Sequence, residues 1–316
     1  MAPRSNRRLP APLVNVGGVI PAVELELGAL SHPGLSRPNN EDCFLVARLD
    51  RGMKVLLTNV PPGSVPERHA VTGHFLLVAD GMGGAAAGEV ASSTAVSVLV
   101  ELALETPDWI MNLNGVHGRE VLARTEERFR RIKDVLLDFA KTDSSLSGMG
   151  TTMTVAGNVG EDLVIAHVGD SRAYLFREGK LRRLTRDQTM AQMLADAGEI
   201  RPEEVSTHRL RHVLTGAITT EKGAVPAELH LMRLLDGDQV LLSTDGLTEM
   251  ATEQKISETL NRGAPAQETC RALVDLALEG GGQDNVTVVL ARYRIPRAGA
   301  GPTTQKLDVR GHRSEG

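Results

Sequence analysis

Short apolar runs bounded by Gly, Asp or Asn recur along the chain, at residues 44–47, 55–57, 74–79, 151–156, 163–168, 173–176, 239–243 and 286–293. Runs of this length between turn formers read as strands. Several follow one another with only a turn between them, which favours antiparallel hairpins over parallel β-α-β units. Helical periodicity takes over at residues 89–105, where Val90, Thr94, Val98 and Leu102 recur beside Ala91, Ala95 and Leu99. It returns at residues 118–141 with Val121, Leu122, Phe129, Ile132, Val135, Leu136 and Phe139. Two later helices are predicted at 187–197, stopped by Gly198, and at 267–278, stopped by Gly280. Strand clusters interrupted by helix pairs predict two sheets with helices packed outside. The proline-rich stretch 61–66 is expected to be a long hairpin loop.

Residues 28–295 read as one domain, since they hold no long linker, internal repeat or low-complexity block. Residues 1–27 are expected to be a mobile leader: Arg4, Arg7 and Arg8 are followed by no apolar stretch of the kind a secretory signal needs. Residues 296–316 are nearly devoid of apolar side chains and are expected to be a disordered tail.

Composition narrows the function classes. A net charge of −5 gives no electrostatic case for a nucleic-acid partner, and 3% aromatics leave few bases to stack on. No run approaches the roughly 18 consecutive apolar residues of a membrane span, so no membrane partner is expected. The two cysteines, Cys43 and Cys270, form no metal or disulfide pattern, and a reducing cytoplasm is the expected location. Cys43 is expected to be a buried strand residue.

Four segments set a carboxylate beside glycine or asparagine: Asn40-Glu41-Asp42, Asp80-Gly81-Met82-Gly83-Gly84, Asp245-Gly246 and Asp284-Asn285. Each adjoins a strand-like run, so a rigid sheet can converge the acids on one point. Converging carboxylates repel and raise one another's pKa unless a cation lies between them. Oxygen-only ligation suits Mg²⁺ or Mn²⁺ and disfavours zinc. Asp-Gly is also the commonest hairpin turn, but here a helix is predicted to follow. Asp80 could then bridge two cations, with the Gly81 carbonyl binding one of them.

The ordered set Gly34, Arg37, Asn40-Glu41-Asp42, Asp80-Gly81-Met82-Gly83-Gly84, Gly88-Glu89 and Ala91-Ser92 resembles the first half of the metal-dependent Ser/Thr protein phosphatases, the PPM or type 2C family, in its bacterial form. Gly148-Met149-Gly150-Thr151-Thr152, His167-Val168-Gly169-Asp170-Ser171-Arg172, Leu184-Thr185-Arg186-Asp187, Ser243-Thr244-Asp245-Gly246-Leu247 and Gly282-Gln283-Asp284-Asn285-Val286-Thr287 resemble its second half. The resemblance implies an α+β fold, a four-layer α-β-β-α sandwich of two antiparallel sheets flanked by helices, with a two-metal centre at one end. It implies a phosphatase acting on phosphoserine and phosphothreonine of proteins phosphorylated by a Ser/Thr kinase, and a monomer is expected.

By the same resemblance Asp80 bridges two tightly held Mn²⁺ or Mg²⁺ ions, the Gly81 carbonyl holds one, and Asp245 and Asp284 hold the other. Glu41 and Asp42 orient metal-bound waters. Two cations about 4 Å apart lower the pKa of a bridging water, whose hydroxide attacks phosphorus directly without a phosphoenzyme. Arg37 matches the phosphate-binding arginine, whose planar fork grips two oxygens. Asp170 matches the ligand of a weaker third ion, with His212 standing where bacterial relatives often place serine. Residues 187–220 correspond to the flap where substrate choice would lie, and the basic run His208-Arg209-Leu210-Arg211-His212 in it reads equally as a solvated face.

Three positions depart from the family pattern: Met82 and Ala85, where one branch or the other carries histidine, and Gln188, where histidine or aspartate is commoner. The first two shift leaving-group protonation to a metal-bound water. Two rival readings are a catalytically silent phosphoprotein-binding or scaffold module, which loss of metal acids would favour, and a nucleotide phosphodiesterase, which would need a base pocket.

Overall fold

The computed structural model describes residues 23–57, 60, 68–83, 87–105, 118–221 and 223–296. In chain order they form β1 (Glu24–His32), β2 (Asp42–Lys54), β3 (Arg68–Met82), α1 (Ala87–Glu105), α2 (Gly118–Thr142), β4 (Gly150–Thr151), β5 (Met153–Val159), β6 (Asp162–Val168), β7 (Arg172–Arg177), β8 (Lys180–Arg183) and α3 (Met190–Asp196). There follow β9 (Ile218–Thr219), β10 (Glu228–Arg233), β11 (Gln239–Ser243), α4 (Asp245–Thr248), α5 (Glu253–Asn261), α6 (Ala266–Glu279) and β12 (Val286–Arg294). One sheet runs β1-β12-β11-β7-β8; the other runs β10-β6-β5-β3-β4-β9, with β2 on the far side of β3. The named strand pairs are antiparallel.

Successive side chains on a strand face opposite ways, and here both ways lead to buried layers. Leu76 and Val78 of β3 meet Val240 and Leu242 of β11 and Val289 and Ala291 of β12 between the sheets. Leu77 and Ala79 point outward onto Ala91 and Ala95 of α1 and Phe129, Ile132 and Leu136 of α2. On the opposite flank Leu241, Val288 and Leu290 pack on Ile256, Leu260, Leu273 and Val274 of α5 and α6. The result is the expected α-β-β-α sandwich, and burial on both faces explains why these strands read as continuous apolar runs.

Helix α1 is long and apolar enough to cross a membrane by length and composition, yet Ala87, Gly88, Ala91, Ser92 and Ala95 are buried against the fold.

Several sequence expectations are corrected. The first strand begins at Glu24, inside the stretch read as leader, and pairs along its length with β12. Residues 55–57 form no strand, and Leu56 and Leu57 are 79% and 96% exposed, so that apolar run has no layer to bury against. The helix expected over 187–197 spans only Met190–Asp196, because the Thr189 side chain caps it by accepting the Gln192 N–H. Cys43 lies in β2 as expected but is only partly buried. The expected loop at 61–66, Gly84 and Ala85, and most of both tails lie outside the described residues.

Candidate metal centre

Asp42 opens β2 and stands opposite Asp80, near the end of β3, in the hairpin register. Asp245 follows β11 as the first residue of α4, and Asp284 lies just before β12. Strands β11 and β12 are neighbours, with Ser243 opposite Val288. Each sheet thus delivers two acids to the same end of the sandwich. Asp80, Asp245 and Asp284 line one cleft of about 590 Å³, together with Arg37, Glu41, Gly81, Asp170, His212 and Glu249. Asp42 lies buried behind it.

Hydrogen bonds lock this convergence. The Thr244 hydroxyl donates to Asp42 Oδ2 at 2.8 Å, joining one sheet to the other, and accepts the Thr287 N–H at 3.0 Å. The Asn285 side-chain oxygen accepts the Glu41 N–H at 2.7 Å, while its amide donates to the carbonyls of Pro33 and Asn39 at 2.9 and 2.8 Å. That side chain clips the loop carrying Arg37 and Glu41 to the segment carrying Asp284. Asp80 is fixed through its backbone: its N–H donates to Thr152 Oγ1 at 3.1 Å, and its carbonyl accepts the Thr152 N–H at 2.9 Å. At Gly81 a Cβ would stand 2.1 Å from the Gly88 carbonyl oxygen, so only glycine lets the end of β3 and the start of α1 approach this closely.

The electrostatics call for cations. Burial first, then repulsion from Asp42, Asp245, Asp170 and Asp284, holds Asp80 well above the usual carboxylate range. Burial, then Asp170, Glu249, Asp284 and Asp42, does the same to Asp245. Burial pushes Asp42 up to about 7, with the Thr287 and Thr244 hydroxyls opposing and Asp284 and Glu41 adding. Asp170 is also raised to about 7, by burial and by Asp187. Burial raises Glu41 as well, against the pull of Arg37. Asp42 Oδ1 is buried without a hydrogen-bond partner among the described residues. An all-oxygen cluster whose members repel, with one orphaned oxygen, fits hard divalent cations. Asp80, the Gly81 carbonyl, Asp245 and Asp284 are the groups placed to hold them.

On the rim, Arg37 Nη2 lies 2.7 Å from Asp284 Oδ2. On the flap side, ligand atoms of His212, Asp245 and Glu249 lie within 4.8 Å of one another. His212 Nδ1 is 3.0 Å from Glu249 Oε1. Asp170 lines the same cleft, so the structure gathers the residues expected around a third ion and adds Glu249, which the sequence reading did not single out. Thr244, Asn285 and Thr152 lie within the family-like motifs, but nothing in those motifs distinguishes their fastening roles.

Residues 67–278 match the family model described as "Protein phosphatase 2C". The serine/threonine protein phosphatase PstP of Mycobacterium tuberculosis is 36% identical over 268 residues, covering 84% of this chain and 45% of that protein. This chain therefore spans about half the length of that curated relative. The crystal structure of M. tuberculosis PstP/Ppp superposes with a TM-score of 0.68 at 34% identity, over 85% of this chain and 99% of that one. A crystal structure of the PstP catalytic domain in complex with two manganese ions gives a TM-score of 0.66 at 33% identity, over 86% of this chain and all of that one. The α-β-β-α sandwich is thus shared with solved Ser/Thr phosphatases. The chain belongs to the protein phosphatase 2C family.

Proposed function

We propose that this protein is a Mn²⁺- or Mg²⁺-dependent phosphatase that hydrolyses phosphoserine and phosphothreonine in proteins. The observation that carries the reading is the arrival of Asp80, Asp245 and Asp284 in one cleft from two different sheets, with Arg37 on its rim. The manganese-bound PstP structure supports the choice of cation.

The chain's own groups divide the work. Asp80, Gly81, Asp245 and Asp284 would hold a pair of divalent cations, which when bound supply Lewis acidity toward the phosphoryl oxygens and acidify water. Arg37 offers a planar fork for two phosphoryl oxygens and sets the phosphate on the cleft's mouth. Glu41 and Asp42 supply carboxylate oxygens that orient water beside Asp80. The Thr244 and Asn285 hydrogen bonds keep these oxygens in place without rearrangement during the reaction, which is the condition for electrostatic catalysis. The flap residues Arg211 and His212 border the same cleft and would meet the peptide around the phosphorylated residue.

A silent binding module would have no need to keep every metal acid, and all of them are present. A phosphodiesterase reading finds no support in the relatives, which are named as protein phosphatases. The protein would act in signalling on products of a Ser/Thr kinase, as a monomer in the reducing cytoplasm of a bacterium. The test is turnover of a phosphothreonine peptide with Mn²⁺, then after chelation. Hydrolysis that is lost on chelation and restored by Mn²⁺ is expected, and no hydrolysis under any metal condition would sink the reading.

A further inference from the structure

Gln188, one of the departures from the family pattern, has all its polar groups engaged, and its bonds reach three separate segments. Its N–H donates to the Gly169 carbonyl at 2.7 Å, and its carbonyl accepts the Thr215 N–H at 2.8 Å. Its side-chain oxygen accepts the Gly169 N–H at 3.1 Å, and its amide nitrogen donates to the Pro226 carbonyl at 2.8 Å. Because a backbone N–H can only donate and a carbonyl can only accept, this pairing fixes which way the amide faces. Gly216 lies so close that a Cβ there would stand 1.9 Å from Gln188 Oε1.

These bonds sit at the neck of the flap. The chain leaves through Thr189 and returns through Leu214, which form an isolated antiparallel bridge, and Met190 N–H donates to the Val213 carbonyl at 2.7 Å. The span between them includes Arg211 and His212 of the cleft wall. On the other side, Gly169 precedes Asp170 and Ser171. The Ser171 hydroxyl is 2.9 Å from Thr152 Oγ1, the atom that accepts the Asp80 N–H. A continuous set of bonded groups therefore runs from the flap neck to the loops of Asp170 and Asp80.

We infer that Gln188 is a positioning residue: its side-chain amide fixes the base of the flap to the loop that presents Asp170, and so sets where Arg211 and His212 stand over the cleft. The flap base has a second, separate anchor in the bidentate bonds from Arg172 to Asp187 at 3.0 and 2.7 Å. Loss of the amide should therefore loosen the flap without unfolding the domain. The kinetic consequence rests on the phosphatase reading; the structural one does not.

The test uses Gln188→Leu in the full chain, which keeps the bulk and removes both side-chain bonds. Amide hydrogen exchange of the metal-free protein is read over residues 189–215 and over β5 and β6. Turnover with Mn²⁺ is read on a phosphothreonine peptide and on a small aryl phosphate. Flap exchange should speed up about tenfold, the scale of one neutral hydrogen bond, with β5 and β6 unchanged. The kcat/KM for the peptide should fall about tenfold, chiefly through KM, while the aryl phosphate changes less than about twofold. Unchanged flap exchange overturns the inference. So does protection lost evenly across the domain, or an equal fall on both substrates, since either marks a residue that merely supports the fold. If the leucine variant does not fold, Gln188→Glu, which keeps an acceptor for Gly169 and loses the donor to Pro226, is put through the same measurements. A wild-type protein without phosphatase activity would remove the proposed function, and the exchange experiment would still decide the role of Gln188.

Discussion

Arg37 and Asp284 are ion-paired at 2.7 Å, so the side chain expected to grip phosphate is held by one expected to hold a cation. The two side chains are 53% and 38% exposed, which limits the pair to less than about 1 kcal/mol. A divalent cation held by Asp284 would compete with the guanidinium at little cost and would leave Arg37 free to face phosphate. Cation binding would thereby prepare the phosphate site.

Arg37→Ala separates these roles. Mn²⁺ affinity measured by calorimetry should be unchanged or tighter by no more than about fivefold, because the competitor for Asp284 is gone. KM for a phosphopeptide should rise about ten- to hundredfold with a smaller change in kcat, the value of a lost charged contact made already in the ground state. Weaker Mn²⁺ binding in this variant would contradict the competition.

Asp80→Asn and Asp245→Asn should each lower turnover by on the order of a thousandfold, since both remove a group that supports charge at the reacting phosphate. The metal-free variants should melt no lower than the metal-free wild type, because a neutral amide relieves the repulsion that raises both carboxyls. Thermal denaturation in chelator checks the second point. Retention of about a tenth of wild-type turnover by metallated Asp80→Asn, against the expected loss, would falsify the ligand assignment.

Asp42 makes the metal-free fold sensitive to pH. Its folded-state pKa of about 7 lies above its ordinary 3.8. A carboxyl raised in this way stabilises the fold fully below its unfolded value, and that contribution is lost as pH rises through the folded value. The chelated protein should thus lose stability between pH 4 and about 7, a window that Asp42 shares with Asp170, and the gain in Tm on adding Mn²⁺ should be larger at about pH 7.5 than at about pH 5. A metal-induced gain that shrinks as pH rises would show that neither Asp42 nor Asp170 titrates in this range.

The group around His212 and Glu249 predicts a weak third ion. Asp170→Ala should lower activity at saturating Mn²⁺ while leaving two tight binding steps in a calorimetric titration, and Glu249→Gln should weaken only the weakest step. His212→Ser should weaken the same step, because it removes the imidazole nitrogen from the group formed with Asp245 and Glu249. Full activity of Asp170→Ala at every Mn²⁺ concentration would return Asp170 to the role of a turn residue.

Asp80, Asp245 and Asp284 were legible in sequence because each adjoins a strand buried on both faces, and such strands are unmistakable apolar runs. The β1 strand was not, although Leu25 and Leu27 alternate with Glu24 and Glu26; an edge strand with charged alternate positions beside a basic, proline-containing stretch looks like a leader. Residues 55–57 misled in the opposite direction, since an apolar run acquires strand structure only where a neighbour supplies ladder and cover. Glu249 was invisible because it caps the four-residue helix α4, whose length carries no periodic signal. The fastening roles of Thr244 and Asn285 depend on partners 202 and 244 residues away, which no local pattern encodes.

Asp42 and Asp80 belong to one sheet, while Asp245 and Asp284 flank strands of the other. The seam between the sheets is closed along most of its length by interdigitated apolar side chains, but at this end it is lined by groups that push each other apart. Cation loading would then also act mechanically. It would turn that mutual repulsion into a clasp between the sheets, added to the Thr244–Asp42 hydrogen bond that already spans them.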